Sequence, residues 1–535
     1  MPPALMRNHH FMTKFYLTTP IYYVNGKPSV GHAYTMIVAD ALARYHRSLG
    51  EQVFFLTGMD ENSQKNVEAA AAVGKADDVQ GYLDEMSALW ERTFDSLGFT
   101  HDRFIRTTEK DHHKAVEKFW KAVEKKGDIY PGEYEGLYCK GCEAFVTEKE
   151  LIDGKCPIHK TVPVTIKEKN YFFKLTKYRD DLLEHIGKHP EFIQPTARRN
   201  ETVSYIKNFM TDVSISRESM SCKAGSLPAG RHGASGGKWG IPVPGDESQR
   251  IYVWFDALIN YLTGVGYGST GSPQAAAFKK WWPADLHLLG KDIIKFHCAL
   301  WPAMLMSAGL PLPKEVFAHG FFTINGDKMS KSLGNVIDPL DVVKEYGNND
   351  VLRFFLLREI RLGEDGDFST KRLAERYDGD LANELGNLVH RVLTMTEKFC
   401  DGKVPKYAEG FLAGAWPTYH TAMEELRLHD ALEVTWSLVR QANQYIDQQR
   451  PWELAKLKEE KMLQNTLYIL LETLRHIAWM LYPFMPDTGE KILVKLGLEV
   501  PKEFKKSMQS AWVWGELKPG SAITKGEPLF PRREA

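Results

Sequence analysis

The opening segment of the chain alternates strand, helix and strand, and this order restricts the fold more than any other feature. Residues 15–24 are rich in β-branched and aromatic side chains, which is typical of a strand. A turn at Asn25-Gly26 leads into apolar residues at helical spacing over 32–49, and residues 52–58 form a second apolar run. A β-helix-β unit favours parallel strands, so we predict an α/β fold with a doubly wound parallel sheet.

The rest of the chain predicts further domains. Its 535 residues exceed what one hydrophobic core accommodates, so we expect two to four domains. Residues 222–238 are rich in Gly, Ala and Ser without apolar periodicity, which predicts a flexible insertion. Helical signals dominate from about 373 to 495, and this predicts an α-helical bundle after the α/β part.

Charge and cysteine content limit the partners and the compartment. Lys plus Arg number 68 and Asp plus Glu 69, so a nucleic acid would have to bind through a local basic surface. No apolar run reaches the roughly 18 residues of a membrane span, and the first 14 residues lack the apolar core of a signal peptide. Six cysteines are too few for a disulfide scaffold. We therefore expect a cytoplasmic protein without membrane contact.

A short Cys/His cluster carries the strongest local signal. Cys139 and Cys142 form a CxxC pair, and Cys156 and His159 form a CxxH pair after 13 intervening residues. Three thiolates and one imidazole complete a tetrahedron that suits Zn²⁺, and four protein ligands leave no open position. We predict one structural zinc per chain; the alternative is a set of unrelated buried side chains.

The second signal is the run Lys328, Met329, Ser330, Lys331 and Ser332. Two lysines and two hydroxyls suit a polyphosphate, because lysine places compact positive charge where negative charge shifts during nucleotidyl transfer. A solvated basic loop is the alternative. The absence of G-x-x-x-x-G-K-[ST] and of a strand-linked G-x-G-x-x-G disfavours a P-loop NTPase and a dinucleotide oxidoreductase.

Two weaker signals follow the predicted strands. Ser29, Gly31 and His32 lie where the first strand gives way to a helix, whose N-terminus can hold a phosphate. Asp60 and Glu61 follow the second strand, at the edge where doubly wound sheets bind ligands. A carboxylate there could bind an ammonium group, and a helix N-cap is an equal alternative. On their own surroundings, three further residues are expected in the core: Trp254, Tyr261 and His297.

Seven motifs occur in one order over about 320 residues, and together they resemble methionyl-tRNA synthetase, a family of class I aminoacyl-tRNA synthetases. They are TTPIYYVNG (18–26), PSVGH (28–32), FLTGMDE (55–61), SISR (214–217), YVWFDALINY (252–261), GKDIIKFH (290–297) and KMSKSLGN (328–335). The resemblance runs from about residue 14 to the end of the chain. It is to the bacterial-like or organellar-like form with a single zinc knuckle.

This resemblance implies roles for particular residues. The methionine pocket would comprise Ile21, Tyr23, Asp60, Trp254, Leu258, Tyr261, Ile293 and His297, with Asp60 on the α-ammonium. The ATP site would comprise Ser29, Gly31, His32, Gly290, Asp292 and the loop from Lys328 to Ser332. The groups nearest the chemistry would be Lys331, His32, Arg217 and Lys328. The anticodon would be read by Asn387, Arg391 and Trp452, since stacking and hydrogen bonds hold unstacked bases.

The chain departs from the family pattern at two places. Ser29 stands at the first histidine of the HIGH motif, and Asn62-Ser63 stands where the family has His-Gly. Both departures lie at the implied active site, so we expect the nucleotide contacts to differ and adenylate formation to persist at a reduced level.

The resemblance also implies a division of the chain and a reaction. The catalytic domain would span 13–116 and 201–322, with a zinc-knuckle connecting insertion at 117–200; a KMSKS and stem-contact region would follow at 323–372 and a helical anticodon-binding domain at 373–535. The implied activity is methionine–tRNA ligase, which uses L-methionine, ATP with Mg²⁺, and tRNA(Met).

Three alternatives stay open at this point. A non-catalytic or weakly active tRNA-binding paralogue would explain Ser29 and Asn62. Another class I aminoacyl-tRNA synthetase would share the motif order, although the connecting region is short for an editing domain. A smaller nucleotidylyltransferase would leave the helical region without a role. The sequence ends without an appended β-barrel of the kind that dimerises some relatives, so we expect a monomer.

Overall fold

The first segment of the sheet forms as its apolar pattern predicts. A computed structural model of the protein describes residues 14–139, 144–146, 148, 151–157, 160–218, 239–269, 273–328, 335–406, 408, 415–499 and 512–532. Its first elements are β1 (Lys14–Tyr23), α1 (Val30–Ser48), β2 (Gln52–Asp60), α2 (Gln64–Ala72), α3 (Val79–Ser96), β3 (Arg103–Arg106) and α4 (Lys110–Lys125). The predicted strand–helix–strand opening is therefore confirmed.

Antiparallel strands and short helices occupy the middle of the chain. They are β4 (Ile129–Cys139), β5 (Ala144–Val146), β6 (Val164–Phe173), α5 (Arg179–Lys188), β7 (Ile193–Gln194), α6 (Thr196–Asn208), β8 (Val213–Ser214), β9 (Ser216–Glu218), β10 (Pro242–Val243) and β11 (Asp246–Ile251). Two small sheets result, ordered β5-β4-β6-β8 and β10-β11-β9. The predicted flexible insertion at 222–238 lies outside the described residues.

The second half of the α/β part returns to the main sheet. Its elements are α7 (Val253–Ala257), α8 (Asn260–Thr263), α9 (Pro273–Trp281), β12 (Leu286–Gly290), α10 (Trp301–Ala308), β13 (Glu315–His319), β14 (Phe322–Ile324), β15 (Asp327–Lys328), α11 (Pro339–Tyr346), α12 (Asn349–Glu359) and β16 (Gly366–Phe368). A 3₁₀ turn (Lys291–Ile293) and a π-helical turn (Phe296–Leu300) connect β12 to α10.

All six strands of the main sheet are parallel, in the order β3-β2-β1-β12-β13-β7. Strand β7 lies within the range 117–200 predicted for the connecting insertion, yet it forms an edge of this sheet. Alternate strand residues enter two separate apolar cores: Leu17 faces one and Tyr16 the other. The predicted doubly wound sheet, covered on both faces, is therefore confirmed.

The last third of the described chain is helical. Its helices are α13 (Thr370–Arg376), α14 (Asn387–Cys400), α15 (Ala415–Glu424), α16 (Leu428–Gln449), α17 (Pro451–Lys456), α18 (Glu460–Leu481) and α19 (Pro486–Lys495). Helix α18 lies inside the bundle, and its residues from Thr466 to Leu481 are all buried. None of the described helices is long and apolar enough to cross a membrane.

A buried ion pair joins the helical region to the first helix of the sheet. Arg353 of α12 lies 2.8 Å from the carboxylate of Asp40 on α1, and both side chains are buried. The same guanidinium donates hydrogen bonds to the carbonyls of Pro483 and Phe484, in the turn between α18 and α19. One apolar core also runs from α1 through α12 into the helical region. Helix α1 is thus fixed to the bundle.

Candidate active site

Four strand ends converge on one edge of the main sheet. Strands β1, β2, β12 and β13 are parallel and end at Tyr23, Asp60, Gly290 and His319, so these residues share the carboxyl edge. In the sheet, β2 lies on one side of β1, and β13 lies on the opposite side of β12, so the strand order reverses between β1 and β12. The crevice between β1 and β12 is therefore the topological switch point, where doubly wound sheets bind their ligands.

Tyr261 and His297 form one buried wall of this crevice. The carbonyl of Ile293 can only accept a hydrogen bond, so the Nδ1 of His297, 3.1 Å away, carries the proton. The Nε2 is then an acceptor, and the hydroxyl of Tyr261 donates to it at 2.8 Å. Burial lowers the pKa of His297 to about 4. The imidazole is consequently neutral and held in one tautomer, which gives an apolar pocket wall without a charge.

Trp254, which was predicted from the sequence, packs against Phe296, which was not. Their rings stack at 3.8 Å with an angle of 5° between the planes. The indole Nε1 of Trp254 is buried and has no hydrogen-bond partner among the described residues. Leu258 is buried one turn further along from Trp254, at the end of α7, and Ile21 packs against the same core. Phe296 is absent from the residues predicted for the pocket.

The polar end of the crevice lies at the ends of β1 and β2. Tyr23 and Asp60 are direct partners across the two strands, and Asp60 is 4% exposed. The amide of Asn66 donates to the backbone carbonyl of Asp60 at 2.7 Å, which fixes the strand end. The ammonium of Lys65 lies 4.7 Å from the centre of the Tyr23 ring. A buried carboxylate thus lies at the sheet edge where doubly wound folds bind their ligands, which suits the ammonium group of an amino acid.

A second layer of side chains supports this pocket. Trp301 donates its indole N–H to the Nε2 of His287 at 3.3 Å, so the Nδ1 of His287 carries the proton and faces the hydroxyl of Thr18 at 2.6 Å. The His287 ring lies 4.3 Å from the ring of Tyr261. Burial holds the pKa of His287 well below its usual range. Thr18, His287 and Trp301 were not predicted from the sequence. A histidine within an apolar strand that ends in glycine could have indicated His287 as a buried polar residue near the site.

Helix α1 begins at the other side of the crevice, and Ser29 is its N-cap. The backbone N–H of Ser29 donates to the Nδ1 of His32 at 3.0 Å, so the proton of a neutral imidazole is on Nε2. The Ser29 hydroxyl also lies 3.0 Å from Nδ1. The rings of Tyr22 and Trp90 contact the His32 imidazole edge to face, at 5.2 and 4.9 Å. His32 is therefore held in place at a helix N-terminus.

The segments on either side of the KMSKS run are tied to the same helix. The N–H of Val30 donates to the carbonyl of Ile337 at 3.0 Å, and the hydroxyl of Thr35 lies 2.8 Å from the Nε2 of His319. The backbone of Lys328 pairs with Thr323 in a short hairpin. Met329, Ser330, Lys331 and Ser332 lie outside the described residues.

The glycine that ends β12 permits a close approach. A Cβ at Gly290 would lie 2.8 Å from the Oδ1 of Asp292, closer than a carbon can approach without displacement. Asp292 itself is exposed at the same edge. The Asp292 carboxylate thus occupies the space that a side chain at Gly290 would take, and contact of this edge with a nucleotide stays a prediction.

Arg217 lies on β9, near the aromatic residue that precedes α7. Its guanidinium lies 4.2 Å from the centre of the Tyr252 ring and 5.6 Å from that of Tyr138. One of its nitrogens donates to the Ser214 hydroxyl at 2.8 Å and to the Ser216 carbonyl at 2.7 Å. This position is next to the element that carries Trp254.

The structure describes only half of the predicted zinc cluster. Cys139 ends β4 and Cys156 follows a one-bridge hairpin between Ile152 and Lys155; with Val146, the two thiols form a small buried cluster. Cys142 and His159 lie outside the described residues. Within the described ranges, no group of three or more His, Cys, Asp or Glu residues is arranged to hold a metal ion.

The three residues predicted to read an anticodon lie on neighbouring helices of the bundle. Asn387 and Arg391 are on α14, which contacts α17, and Trp452 is on α17 with 39% of its surface exposed. Arg391 is paired with Asp447 at 2.8 Å. A tryptophan with this exposure suits base stacking better than it suits a core position.

Comparison with known proteins decides the family. A model described as "tRNA synthetases class I (M)" matches residues 15–162 and 146–393, and one described as "Anticodon binding domain of methionyl tRNA ligase" matches 411–534. A methionine–tRNA ligase of Thermotoga maritima is 45% identical over 98% of this chain and 81% of its own length. One from Thermosynechococcus vestitus is 40% identical over 97% of both chains. The chain belongs to the methionyl-tRNA synthetase family.

Solved methionyl-tRNA synthetase structures agree with this fold. Mycobacterium tuberculosis methionyl-tRNA synthetase in complex with methionyl-adenylate superposes with a TM-score of 0.88 at 40% identity, covering 97% of this chain and all of that one. The apo form of the same enzyme gives 0.82 at 37% identity. The predicted class I synthetase fold with a helical anticodon domain is therefore confirmed. A nucleotidylyltransferase and a synthetase for another amino acid are disfavoured.

Proposed function

We propose that this chain is a methionine–tRNA ligase that forms methionyl-adenylate from L-methionine and ATP and transfers methionine to the 3′ end of tRNA(Met). The observation that carries the proposal is the neutral Tyr261–His297 wall, which lies at the switch point together with Asp60. A catalytically inactive tRNA-binding paralogue does not need a substrate pocket that is built in such detail.

Methionine would lie with its ammonium on Asp60 and its thioether against Trp254, Tyr261 and His297. A thioether is polarizable and forms favourable contacts with aromatic rings. A protonated His297 would add an unpaired charge to the pocket, so the neutral tautomer fixed by Ile293 and Tyr261 favours an uncharged side chain. Ile21, Tyr23, Leu258 and Ile293 would complete the pocket.

ATP would bind between the start of α1 and the KMSKS loop. The amide groups at the N-terminus of α1 and the Nε2–H of His32 would donate to phosphate oxygens, and Ser29 holds His32 in this orientation. Gly31, Gly290 and Asp292 would lie against the nucleotide. The run of Lys328, Met329, Ser330, Lys331 and Ser332 would supply positive charge and hydroxyl groups to the phosphates. Mg²⁺ bound with ATP would supply additional positive charge to the phosphates.

The first step is an in-line attack. A carboxylate oxygen of methionine forms a bond to the α-phosphorus, and the bond to the bridging oxygen breaks, which releases pyrophosphate. The carboxylate is already ionised at neutral pH, so positioning and the stabilisation of phosphate charge suffice. His32, Lys328 and Lys331 would act on the phosphates, and Arg217 would act nearby. The terminal ribose hydroxyl of the tRNA then attacks the mixed anhydride, and AMP leaves.

A structural zinc fits the residues that are described around the connecting region. Cys139 and Cys156 lie at two hairpins and are buried together, which is the arrangement that a zinc knuckle requires. With Cys142 and His159 they would hold one Zn²⁺, whose role is to fix the two hairpins. Tyr138, which precedes Cys139, contacts Arg217, so the knuckle would also support that arginine.

The helical region would recognise the anticodon of tRNA(Met) through Asn387, Arg391 and Trp452. The domain limits 13–116, 117–200, 201–322, 323–372 and 373–535 form part of the same proposal. We further propose a cytoplasmic monomer.

Charging of a tRNA transcript tests the proposed activity. We expect the purified chain to attach radiolabelled methionine to a tRNA(Met) transcript in the presence of ATP and Mg²⁺. A transcript with a changed anticodon should be charged far more slowly, while the Asp60→Asn variant should fail with both transcripts. A folded protein that binds the transcript but attaches no methionine would instead identify a tRNA-binding paralogue.

A further inference from the structure

One buried carboxylate joins the two sides of the pocket. Asp256 of α7 is completely buried, and each of its oxygens has a partner from another element. The side-chain amide of Asn62 donates to Oδ2 at 2.7 Å, and the Nε2 of His112 on α4 lies 2.7 Å from Oδ1. The same amide group of Asn62 also donates to the carbonyl of Thr107 at 3.2 Å.

The positions of these residues in the chain relate them to the pocket. Asn62 is two residues beyond Asp60, the group proposed to hold the ammonium. Asp256 stands midway between Trp254 and Leu258, which lie one helical turn apart on the face proposed above to line the pocket. A residue two positions further along a helix points to the opposite face. Asp256 thus anchors α7 from the back, to the same loop that follows Asp60.

The contacts of the Asn62 side chain relate it to the proposed amino-acid pocket. Because the family has a histidine at this position, we expected Asn62 to change the nucleotide contacts. Both hydrogen bonds of the Asn62 amide are instead made to Asp256 and to the carbonyl of Thr107. Loss of the amide would leave a buried carboxylate oxygen without its donor, and a movement of α7 would relieve this. Such a movement changes the space between Asp60 and Trp254.

We propose that Asn62 and Asp256 are positioning residues that set the distance between the ammonium anchor and the thioether wall, and so the length of amino acid that is accepted. This inference rests on the proposed function and adds specificity determinants to it. Neither residue touches the substrate; each acts through the placement of Asp60 and Trp254.

Amino-acid-dependent pyrophosphate–ATP exchange tests the pair, with methionine and with ethionine, which is longer by one methylene. For Asn62→Ala we expect the KM for methionine to rise about tenfold and the preference for methionine over ethionine to fall severalfold. The KM for ATP and the kcat should stay within twofold of the parent. Asn208→Ala, which removes an exposed amide at the end of α6, is the matched control and should change none of these values.

A swapped pair separates positioning from a general loss of stability. Asn62→Asp alone would bring two carboxylates together. The double variant Asn62→Asp/Asp256→Asn restores one donor and one acceptor between the two positions, although not the hydrogen bond to the Thr107 carbonyl. We expect the kcat/KM for methionine of the double variant to be at least tenfold higher than that of Asn62→Asp.

Two results would overturn the inference: a parental KM for methionine in Asn62→Ala, or an equal loss of kcat for methionine and ethionine without recovery in the swap. A parent chain that shows no methionine-dependent exchange would instead refute the proposed function itself.

Discussion

Removal of one hydroxyl group tests the methionine pocket in detail. Tyr261→Phe deletes the donor that lies 2.8 Å from the Nε2 of His297 and leaves the ring of residue 261 in place. Both side chains are only 2% exposed, so water cannot readily replace the lost hydrogen bond. The imidazole keeps its bond to Ile293 but loses the contact that fixes its other edge.

The expected magnitude follows from that burial. A buried acceptor that loses its donor costs about 1–3 kcal/mol. The unliganded protein bears part of this cost too, and that part does not affect kcat/KM. We therefore expect the transition state for methionine activation to be destabilised by about 1.4 kcal/mol relative to the free enzyme, which corresponds to about a tenfold lower kcat/KM. The loss should appear mainly in the KM for methionine, because this hydroxyl bonds to His297 of the proposed methionine pocket.

Steady-state pyrophosphate–ATP exchange measures this directly, with methionine and ATP varied in turn. Tyr419→Phe is the matched control, since it removes a buried hydroxyl that donates to Met480 in the helical region at 2.9 Å. That control should lower the urea midpoint of unfolding without changing the KM for methionine. If Tyr261→Phe keeps the parental KM for methionine while remaining folded, the Tyr261–His297 pair does not line the substrate pocket.

Three further outcomes are expected. Burial lowers the pKa of both His297 and His319 from 6.5 to about 4, so the unfolded chain binds more protons between these values and stability must fall as the pH falls through that range. At pH 5 the loss is about 2 kcal/mol per residue, and urea unfolding at pH 7.5 and 5.0 should show it; a flat profile would contradict the buried neutral state. Trp452→Ala should leave methionine-dependent exchange near the parental rate but cut tRNA charging at least tenfold, whereas a core role predicts a lower melting temperature instead. Ser29→Ala keeps the backbone bond to His32 at 3.0 Å, so its single-turnover rate of adenylate formation should fall much less than that of His32→Ala, and equal losses would argue against a phosphate contact by His32.

The sheet and the bundle could be predicted because their signals are local. The helical spacing of apolar residues in α1 and the β-branched and aromatic run of β1 each appear within about twenty residues of sequence. The helix between β1 and β2 then indicates that these two strands are parallel. The two-residue strand β7 could not be found in this way, since Ile193 and Gln194 form a strand only because β13 offers an edge to pair with.

The pocket could be predicted only in part. Asp60 ends a strand and His32 lies in the first turn of the helix after another strand, which is a positional signal that any doubly wound sheet provides. His297 and Tyr261 by themselves are typical core residues, and only the family resemblance assigned them to a pocket. The pairs Asn62–Asp256 and Thr18–His287 join residues far apart in the chain, so no spacing rule brings them together. Their partners are set by the packing of α4, α7 and β12.

The central claim is that the crevice between β1 and β12 activates methionine. Pyrophosphate–ATP exchange with each of the twenty amino acids tests this most directly. We expect strong exchange with methionine and rates at least a hundredfold lower with the other nineteen, including leucine and isoleucine. Exchange that favours leucine or isoleucine, or no exchange with any amino acid from a folded protein, would contradict the claim.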